Sequence, residues 1–115
     1  MSEQRQGQAG SDGSEAPTFS SFKEFYPFYL REHANRTSRR LHVVGTVLGL
    51  ALVIIGLGTG RLAYVLLGLV VAYGLAWIGH FFFEHNRPAT FRHPVYSLMG
   101  DLAMASDILR GRIPW

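Results

Sequence analysis

The stretch at residues 73–94, YGLAWIGHFFFEHNRPATFRHP, decides the fold and the chemistry of this chain. Its first half is apolar and is typical of the end of a membrane-spanning helix. It then runs without a loop into His80, Glu84 and a polar segment that ends at Pro94. Ionisable side chains at membrane depth cost free energy and usually mark functional sites. The stretch therefore predicts a helix end that carries an active site.

Composition divides the chain into a polar tail and an apolar body. Residues 1–17 offer almost nothing to bury, so we predict a disordered tail there, followed by one helical membrane domain over residues 18–115. The chain has no cysteine, which excludes disulfides, zinc-thiolate sites and iron–sulfur clusters. The formal net charge is +3. Because the arginines flank apolar segments, they favour membrane topology and lipid headgroups over nucleic acid as the partner.

Two apolar segments are long enough to cross a bilayer. They cover about residues 41–58 and 62–83, and a turn at residues 59–61 joins them. Such a short turn predicts an antiparallel transmembrane hairpin. Arginines are frequent outside both ends of the hairpin, whereas the turn holds only Arg61. The positive-inside rule therefore places both termini in the cytoplasm, in a cell inner membrane or an endoplasmic-reticulum-type membrane.

Amphipathic segments flank the hairpin. Residues 18–33 repeat aromatic side chains at helical spacing, with Thr18 or Ser20 as the cap and a kink at Pro27. Residues 34–40 are predicted to form a connection, and residues 95–110 a second amphipathic helix. The predicted fold class is an all-α integral membrane protein, a two-helix transmembrane hairpin flanked by interfacial amphipathic helices. The aromatic segment could alternatively form the rim of a lipid-substrate pocket.

Small residues predict where the helices touch. Gly45 and Gly49 form a GxxxG pair in the first span, and Gly68 and Ala72 lie on a similar strip of the second. Such strips let backbones approach closely. They predict contact between the two spans, and the face of Gly45 and Gly49 is also a candidate surface for a homo-oligomer.

Three histidines and a carboxylate can converge at the cytoplasmic end of the hairpin. Antiparallel packing puts His42 and His80 at the same depth, His33 lies in the arm that returns to that surface, and Glu84 follows His80 by one turn. Ligands of this kind suit a non-haem Fe(II) site with open positions, or zinc or manganese. Glu84 is either a direct ligand or, like Asp101 and Asn86, an outer hydrogen-bond acceptor. The remaining histidines, His85 and His93, are predicted to be surface or interface residues.

Three blocks of sequence carry a resemblance to a known family. They are FKEFYPFYLREHANRTSRRLHVVGT, AWIGHFFFEHNRPATFRHP and SLMGDLAM. Over residues 19–112 the chain resembles the small membrane family of 2-hydroxy fatty acid dioxygenases, which act in α-oxidation and in phytosphingosine breakdown. The resemblance implies an Fe(II)-dependent enzyme that uses O₂ to shorten a long-chain 2-hydroxy fatty acid by one carbon.

The resemblance also implies a distribution of roles. The family's histidines correspond to His33, His42 and His80 as iron ligands, with Glu84 beside them and His85 only as an outside candidate. Beside the resemblance, our own hypothesis for the substrate is that its acyl chain lies in the bilayer and that its carboxylate and hydroxyl chelate the metal, assisted by a set of polar side chains. This set comprises Arg39, Arg40, Asn86 and Arg87.

Two other classes of protein fit parts of the pattern. A non-catalytic membrane adaptor would use the GxxxG hairpin for association, with its histidines as interfacial anchors. A haem protein would use His42 and His80 as paired axial ligands. The adaptor predicts no stoichiometric metal, and the haem protein predicts a Soret band.

Overall fold

The computed structural model describes residues 18–115, and all regular structure in that part of the chain is helical. The tail predicted for residues 1–17 lies outside the described residues. A π-helical turn over Gly79–Glu84 continues α3, and a 3₁₀ turn over Ala89–Phe91 precedes α4. The four α-helices are α1 over Phe22–Arg31, α2 over Arg36–Thr59, α3 over Leu62–Ile78 and α4 over Pro94–Leu109.

Helix α2 begins five residues before the predicted span, so the predicted connection is wrong over residues 36–40, which are helical, and only its first two residues link the helices. Asn35 caps the helix, because its Oδ1 accepts the backbone N–H of Ser38 at 3.0 Å. Asparagine is among the best N-cap residues. His42 consequently lies in the second turn of α2 rather than at its start, where the helix backbone fixes its position. Helix α1 is likewise capped by Ser21 and not by Thr18 or Ser20.

The long hairpin has the predicted location. Its two arms, Arg36–Thr59 and Leu62–Glu84, are 24 and 23 residues long and are apolar enough to cross a membrane. Gly60 ends α2 in the left-handed conformation with a φ of 69°, which a glycine adopts without a steric penalty. Most of the apolar surface of both arms faces outwards.

Small residues place the two arms in direct backbone contact. Gly45 faces Ala72 and Leu75, and Gly49 faces Gly68. Later residues of α2 therefore contact earlier residues of α3, as expected for antiparallel helices. A Cβ atom added at Gly49 would lie only 2.6 Å from the carbonyl oxygen of Gly68. The predicted contact between the spans is therefore confirmed. In this structure α3 of the same chain covers the face of Gly45 and Gly49, so the homo-oligomer predicted through that face stays a prediction that these contacts do not support.

Helices α1 and α4 form a small core beyond the end of the hairpin. Phe25 and Tyr29 of α1 are fully buried with Met104 of α4. The ring of Tyr29 packs directly against Gly100, where a side chain would collide with it. The apolar faces of the two amphipathic helices thus pack against each other. His93 was predicted to lie at the surface or the interface. It is half-buried, and its ring packs against several phenylalanines of the α1 region.

Candidate metal centre

Three imidazoles from three different elements meet at the end of the hairpin. His33 lies just after α1, His42 lies in α2 and His80 lies in the π-helical turn, and they are 1%, 5% and 2% exposed. The ring centroid of His33 is 4.5 Å from that of His42 and 4.6 Å from that of His80. One potential ligand atom from each residue lies within 4.8 Å of the others. The three histidines selected from the sequence could therefore hold one metal ion.

Each imidazole has one ring nitrogen held by a hydrogen-bond acceptor. His33 Nδ1 lies 2.6 Å from the carbonyl oxygen of Tyr29, His42 Nε2 lies 2.5 Å from Asp101 Oδ1, and His80 Nδ1 lies 2.7 Å from Asn86 Oδ1. Because all three partners accept, each of these nitrogens must carry its proton. The opposite nitrogen then carries a lone pair. An outer acceptor of this kind is the usual companion of a metal-bound histidine.

Two of the three nitrogens with lone pairs are buried without a partner. His33 Nε2 and His42 Nδ1 are buried and form no hydrogen bond. Buried polar atoms in native proteins are nearly always satisfied, and exceptions often mark a site for an ion. The donor set therefore fits a metal ion on the inner side of the three rings. Its ligands would be His33, His42 and His80.

Asn86 fixes the orientation of His80. Its Nδ2 donates to the carbonyl oxygen of Glu32 at 3.0 Å, which leaves Oδ1 to face the imidazole. The π-helical turn brings Asn86 back over His80, since the N–H groups of His85 and Asn86 both donate to the carbonyl oxygen of His80. His85 itself is exposed and adopts a left-handed conformation with a φ of 58°. π-Helical turns of this kind often occur at functional sites.

Tyr29 and Asp101 together hold the other two imidazoles. The Tyr29 hydroxyl donates to Asp101 Oδ1 at 2.6 Å, and the same oxygen accepts from His42. The ring of Tyr29 stacks on His33 with centroids 4.0 Å apart. Burial and the charge of Asp101 raise the pKa of Tyr29 well above its usual value, so the phenol remains a donor.

Electrostatics also favour a neutral His33. Burial, reinforced by the neighbouring His42, holds the pKa of His33 well below its ordinary value of 6.5. A metal-binding imidazole must be neutral, because the proton and the metal compete for the same lone pair. The protein therefore maintains His33 in the state that ligation requires.

Glu84 supports the loop that carries His33. Its Oε2 accepts the backbone N–H of Asn35 at 2.9 Å, and it lies outside the three-histidine cluster. Together with the bond from Asn86 to Glu32, this contact ties the loop between α1 and α2 to the end of α3. The geometry gives Glu84 a positioning role for the cluster.

The arginines predicted to meet the substrate lie elsewhere. Arg39 donates to the carbonyl oxygen of Ala34 at 2.9 Å, and Arg40 donates to that of Trp115 at 3.2 Å. Arg87 lies over the ring of Phe91, 5.5 Å from its centroid. None of these arginines, and not Asn86 either, is part of the wall of the cavity that holds the histidines.

That cavity begins at the three imidazoles and continues between the helices. Its volume is about 220 Å³, and it extends past Thr46 and Ala72 to Val53 and Gly68. From His42 to Val53 the helical rise corresponds to ~16 Å. The wall is mainly apolar, and the described residues that line it include no lysine or arginine. The cavity can therefore receive an elongated apolar ligand with its polar end at the histidines.

The same geometry disfavours a haem between His42 and His80. The ring of His33 lies within 4.6 Å of both other rings, measured between centroids, and so occupies the space beside them. A flat macrocycle would need an open slot between the two axial ligands. The arrangement of three converging rings suits a single ion better.

In a comparison with models of protein families, one family matches most of the chain. The model of the Mpo1-like family, described as 2-hydroxy-palmitic acid dioxygenase Mpo1-like, matches residues 19–113. The chain belongs to the Mpo1-like family. The match spans all four helices and includes the three clustered histidines. No curated protein and no solved structure matches the chain.

Two contributions to the site in this Mpo1-like chain were missed or left open from sequence. Tyr29 was assigned only to an aromatic face, and Asp101 was one of several outer acceptors. The available signals were an aspartate on the apolar side of α4 and a tyrosine one helical turn before His33. Neither signal identifies a partner, because Asp101 is 72 residues from Tyr29 and 59 from His42.

Proposed function

We propose that this chain is a membrane-embedded, Fe(II)-dependent dioxygenase that converts a long-chain 2-hydroxy fatty acid to the acid one carbon shorter. The observation that carries the proposal is the cluster of His33, His42 and His80 at one end of an apolar cavity. Two of their inward nitrogens are buried without a partner. The description of the Mpo1-like family supplies the class of substrate and reaction.

Iron is favoured over zinc by the chemistry of the family. Imidazole ligands suit Zn, Cu, Fe and Ni alike. The family is described as a dioxygenase, and Zn²⁺ has no redox chemistry with which to activate O₂. Fe(II) held by three imidazoles would activate O₂ and would keep positions free for the hydroxyl and carboxylate of the substrate.

The proposed reaction balances with O₂ alone. A 2-hydroxy acid, R–CH(OH)–COOH, and O₂ give R–COOH, CO₂ and water. The bond between C1 and C2 breaks, C2 becomes the new carboxyl carbon, and the electrons that C1 and C2 lose reduce the oxygen. No external reductant is required, so the chain needs no site for one.

Residues around the cavity prepare this chemistry. Asp101 and Asn86 keep His42 and His80 in the tautomers that present their lone pairs to the site. The apolar wall along Val53, Ala72 and Gly68 aligns the acyl chain and excludes water from it. Positioning of this kind lowers the barrier because the reacting carbons are already next to the oxidant.

The outer surface of the hairpin supports placement in a membrane. Ile54, Leu57 and Val70 are 59%, 71% and 66% exposed, and neighbouring apolar side chains are exposed in the same way. Apolar surface this extensive is unfavourable in water and favourable in hydrocarbon. The excess of arginine at the cluster end supports a cytoplasmic location for that end and for both termini, by the positive-inside rule.

The test is metal content and O₂ consumption after anaerobic purification in a mild detergent. We expect near-stoichiometric iron and O₂ uptake with 2-hydroxyhexadecanoic acid. Substitution His80→Ala should abolish both while the protein remains helical. The matched control is His85→Asn, which changes an exposed histidine to a residue that tolerates the left-handed conformation.

Two outcomes would contradict the proposed function. One is full activity in His80→Ala. The other is a wild-type protein that binds no iron when Fe(II) is offered, or that retains only zinc. Either result would show that the three-histidine cluster does not catalyse a reaction with O₂.

A further inference from the structure

Ser97 is a buried polar group on the cavity wall that the metal site does not explain. Among the described residues, three that line the cavity have a buried polar side-chain atom with no hydrogen-bond partner. The atoms are His33 Nε2, His42 Nδ1 and Ser97 Oγ. The two nitrogens belong to the proposed metal ligands. A hydroxyl does not share that explanation, and burying it without a partner costs free energy.

The position of Ser97 places it at the polar end of the cavity. It lies on α4 one turn before Asp101, on the same helix face, and its side chain is only 4% exposed. Asp101 in turn contacts His42. Ser97 is therefore close to the end where the head group of a bound fatty acid would lie.

The head group needs a hydrogen-bond donor. Hydroxyls of Thr46, Tyr73 and Thr90 also line the cavity, but among the described wall residues only Ser97 has a hydroxyl that is buried without a partner. A fatty acid carries a carboxylate, and a carboxylate in an apolar site must receive hydrogen bonds or face a cation. The described wall contains no lysine or arginine, and Arg39 and Arg40 bind backbone carbonyl oxygens elsewhere. Among the described wall residues Asp101 is the one carboxylate, and its charge would repel the carboxylate of the substrate. A neutral hydroxyl donor beside the metal would meet this need.

We propose that Ser97 binds the carboxylate of the 2-hydroxy acid by donating its Oγ–H to it. The inference rests on the proposed function, because it takes the fatty acid as the occupant of the cavity. It assigns the head-group contact to a hydroxyl of α4 in place of the arginines. The contact would orient C1 towards the cluster while the metal compensates its charge.

The test is equilibrium binding to the iron-loaded protein without O₂, so that no turnover occurs. Trp77 lines the cavity, and its fluorescence in a Trp115→Phe background would report occupancy. The two probes are 2-hydroxyhexadecanoic acid and hexadecane-1,2-diol, which lacks the carboxylate. We expect Ser97→Ala to weaken acid binding about tenfold or more, because hydrogen bonds to charged groups are strong, and to change diol binding less than about twofold.

Two further variants separate binding from structure. Ser97→Thr keeps a hydroxyl and should retain most of the acid affinity. Ser38→Ala is the matched control, since Ser38 is also buried with an unpartnered Oγ but contacts Gly79 and does not line the cavity. It should leave binding of both probes unchanged.

The outcomes distinguish this inference from the proposed function. Unchanged acid binding in Ser97→Ala, or equal weakening of acid and diol, would overturn the role of Ser97 and leave the proposed function intact. A wild-type protein that binds neither probe would overturn the proposed function and the inference with it. Selective loss of acid binding would support both.

Discussion

Tyr29 shows how one residue can position two proposed metal ligands. Its carbonyl oxygen accepts from His33, and its hydroxyl holds Asp101, which accepts from His42. The ring fits because Gly100 lacks a side chain. A Cβ atom there would meet three atoms of the ring at 2.6 to 3.0 Å. At the scale of the residue, the site therefore depends on a close contact between α1 and α4.

We expect Gly100→Ala to destabilise the protein by about 1–3 kcal/mol, the usual cost of overpacking. The added methyl group would force the Tyr29 ring to move and would weaken the bond to Asp101. Denaturant unfolding in detergent would measure the loss. Gly74→Ala is the control, because nothing lies within 4 Å of a Cβ atom at Gly74. Equal stability of both variants would show that the ring has room to move.

We expect Asn86→Ala to lower metal affinity by about 10- to 100-fold, the usual effect of removing an outer hydrogen-bond partner. The substitution frees the His80 ring and also removes the bond to Glu32. Competition with a chelator would measure the affinity. The control is Arg87→Ala, which removes a side chain of the same loop that lies over the ring of Phe91, and it should bind metal normally. Unchanged affinity in Asn86→Ala would mean that packing alone orients His80.

At the scale of the element, the glycine-lined contact sets the distance between α2 and α3. Gly49 and Gly68 touch through their backbones, and both also line the cavity. The same close packing brings Gly79 against Ser38, next to His80. The separation of the two helices therefore determines both the width of the cavity and the distance between His42 and His80.

We expect Gly49→Ala to destabilise the hairpin by about 1–3 kcal/mol, because its Cβ would meet the Gly68 carbonyl oxygen at 2.6 Å. Metal affinity should fall as the helices separate, and the oligomeric state should not change. Thermal unfolding and light scattering in detergent would measure these effects. Gly58→Ala, in the same helix with open space around it, is the control. Loss of an oligomer with unchanged unfolding would instead support an adaptor.

At the scale of the whole molecule, polar and apolar parts are segregated along the hairpin. The cluster, α1 and α4 lie at one end, and the turn near Gly60 lies at the other. Between them the two arms expose apolar side chains on most sides. This distribution is compatible with a bilayer around the arms, with the three-histidine cluster at one interface.

We expect Lys23→Cys and Gly58→Cys to be labelled from opposite sides of sealed membrane vesicles. Both positions are exposed, and each introduced thiol is unique because the chain has no cysteine. An impermeant maleimide added outside should label one variant in intact vesicles and the other only after permeabilisation. Labelling of both variants from the same side would exclude the transmembrane hairpin.

Much of the architecture could be predicted because it depends on near neighbours in sequence. Hydropathy located both arms of the hairpin, and antiparallel packing of the arms brought His42 and His80 to one depth. The start of α2 was placed too late, because the capping bond of Asn35 to Ser38 was not recognised among several polar residues. The arginines were predicted to contact the substrate. In the structure, Arg39 and Arg40 instead donate hydrogen bonds to backbone carbonyl oxygens.

The sequence by itself determined the all-helical class, the hairpin and the three histidines, since periodicity, length and residue type express local physical preferences. Only the tertiary structure decided which atoms complete the site. Asp101 joins Tyr29 and His42 across most of the chain, and Asn86 joins His80 to Glu32. These partnerships depend on rotamers and on the ångström-scale separation of packed helices, which the identities of distant residues do not specify until α1 and α4 close over the end of the hairpin.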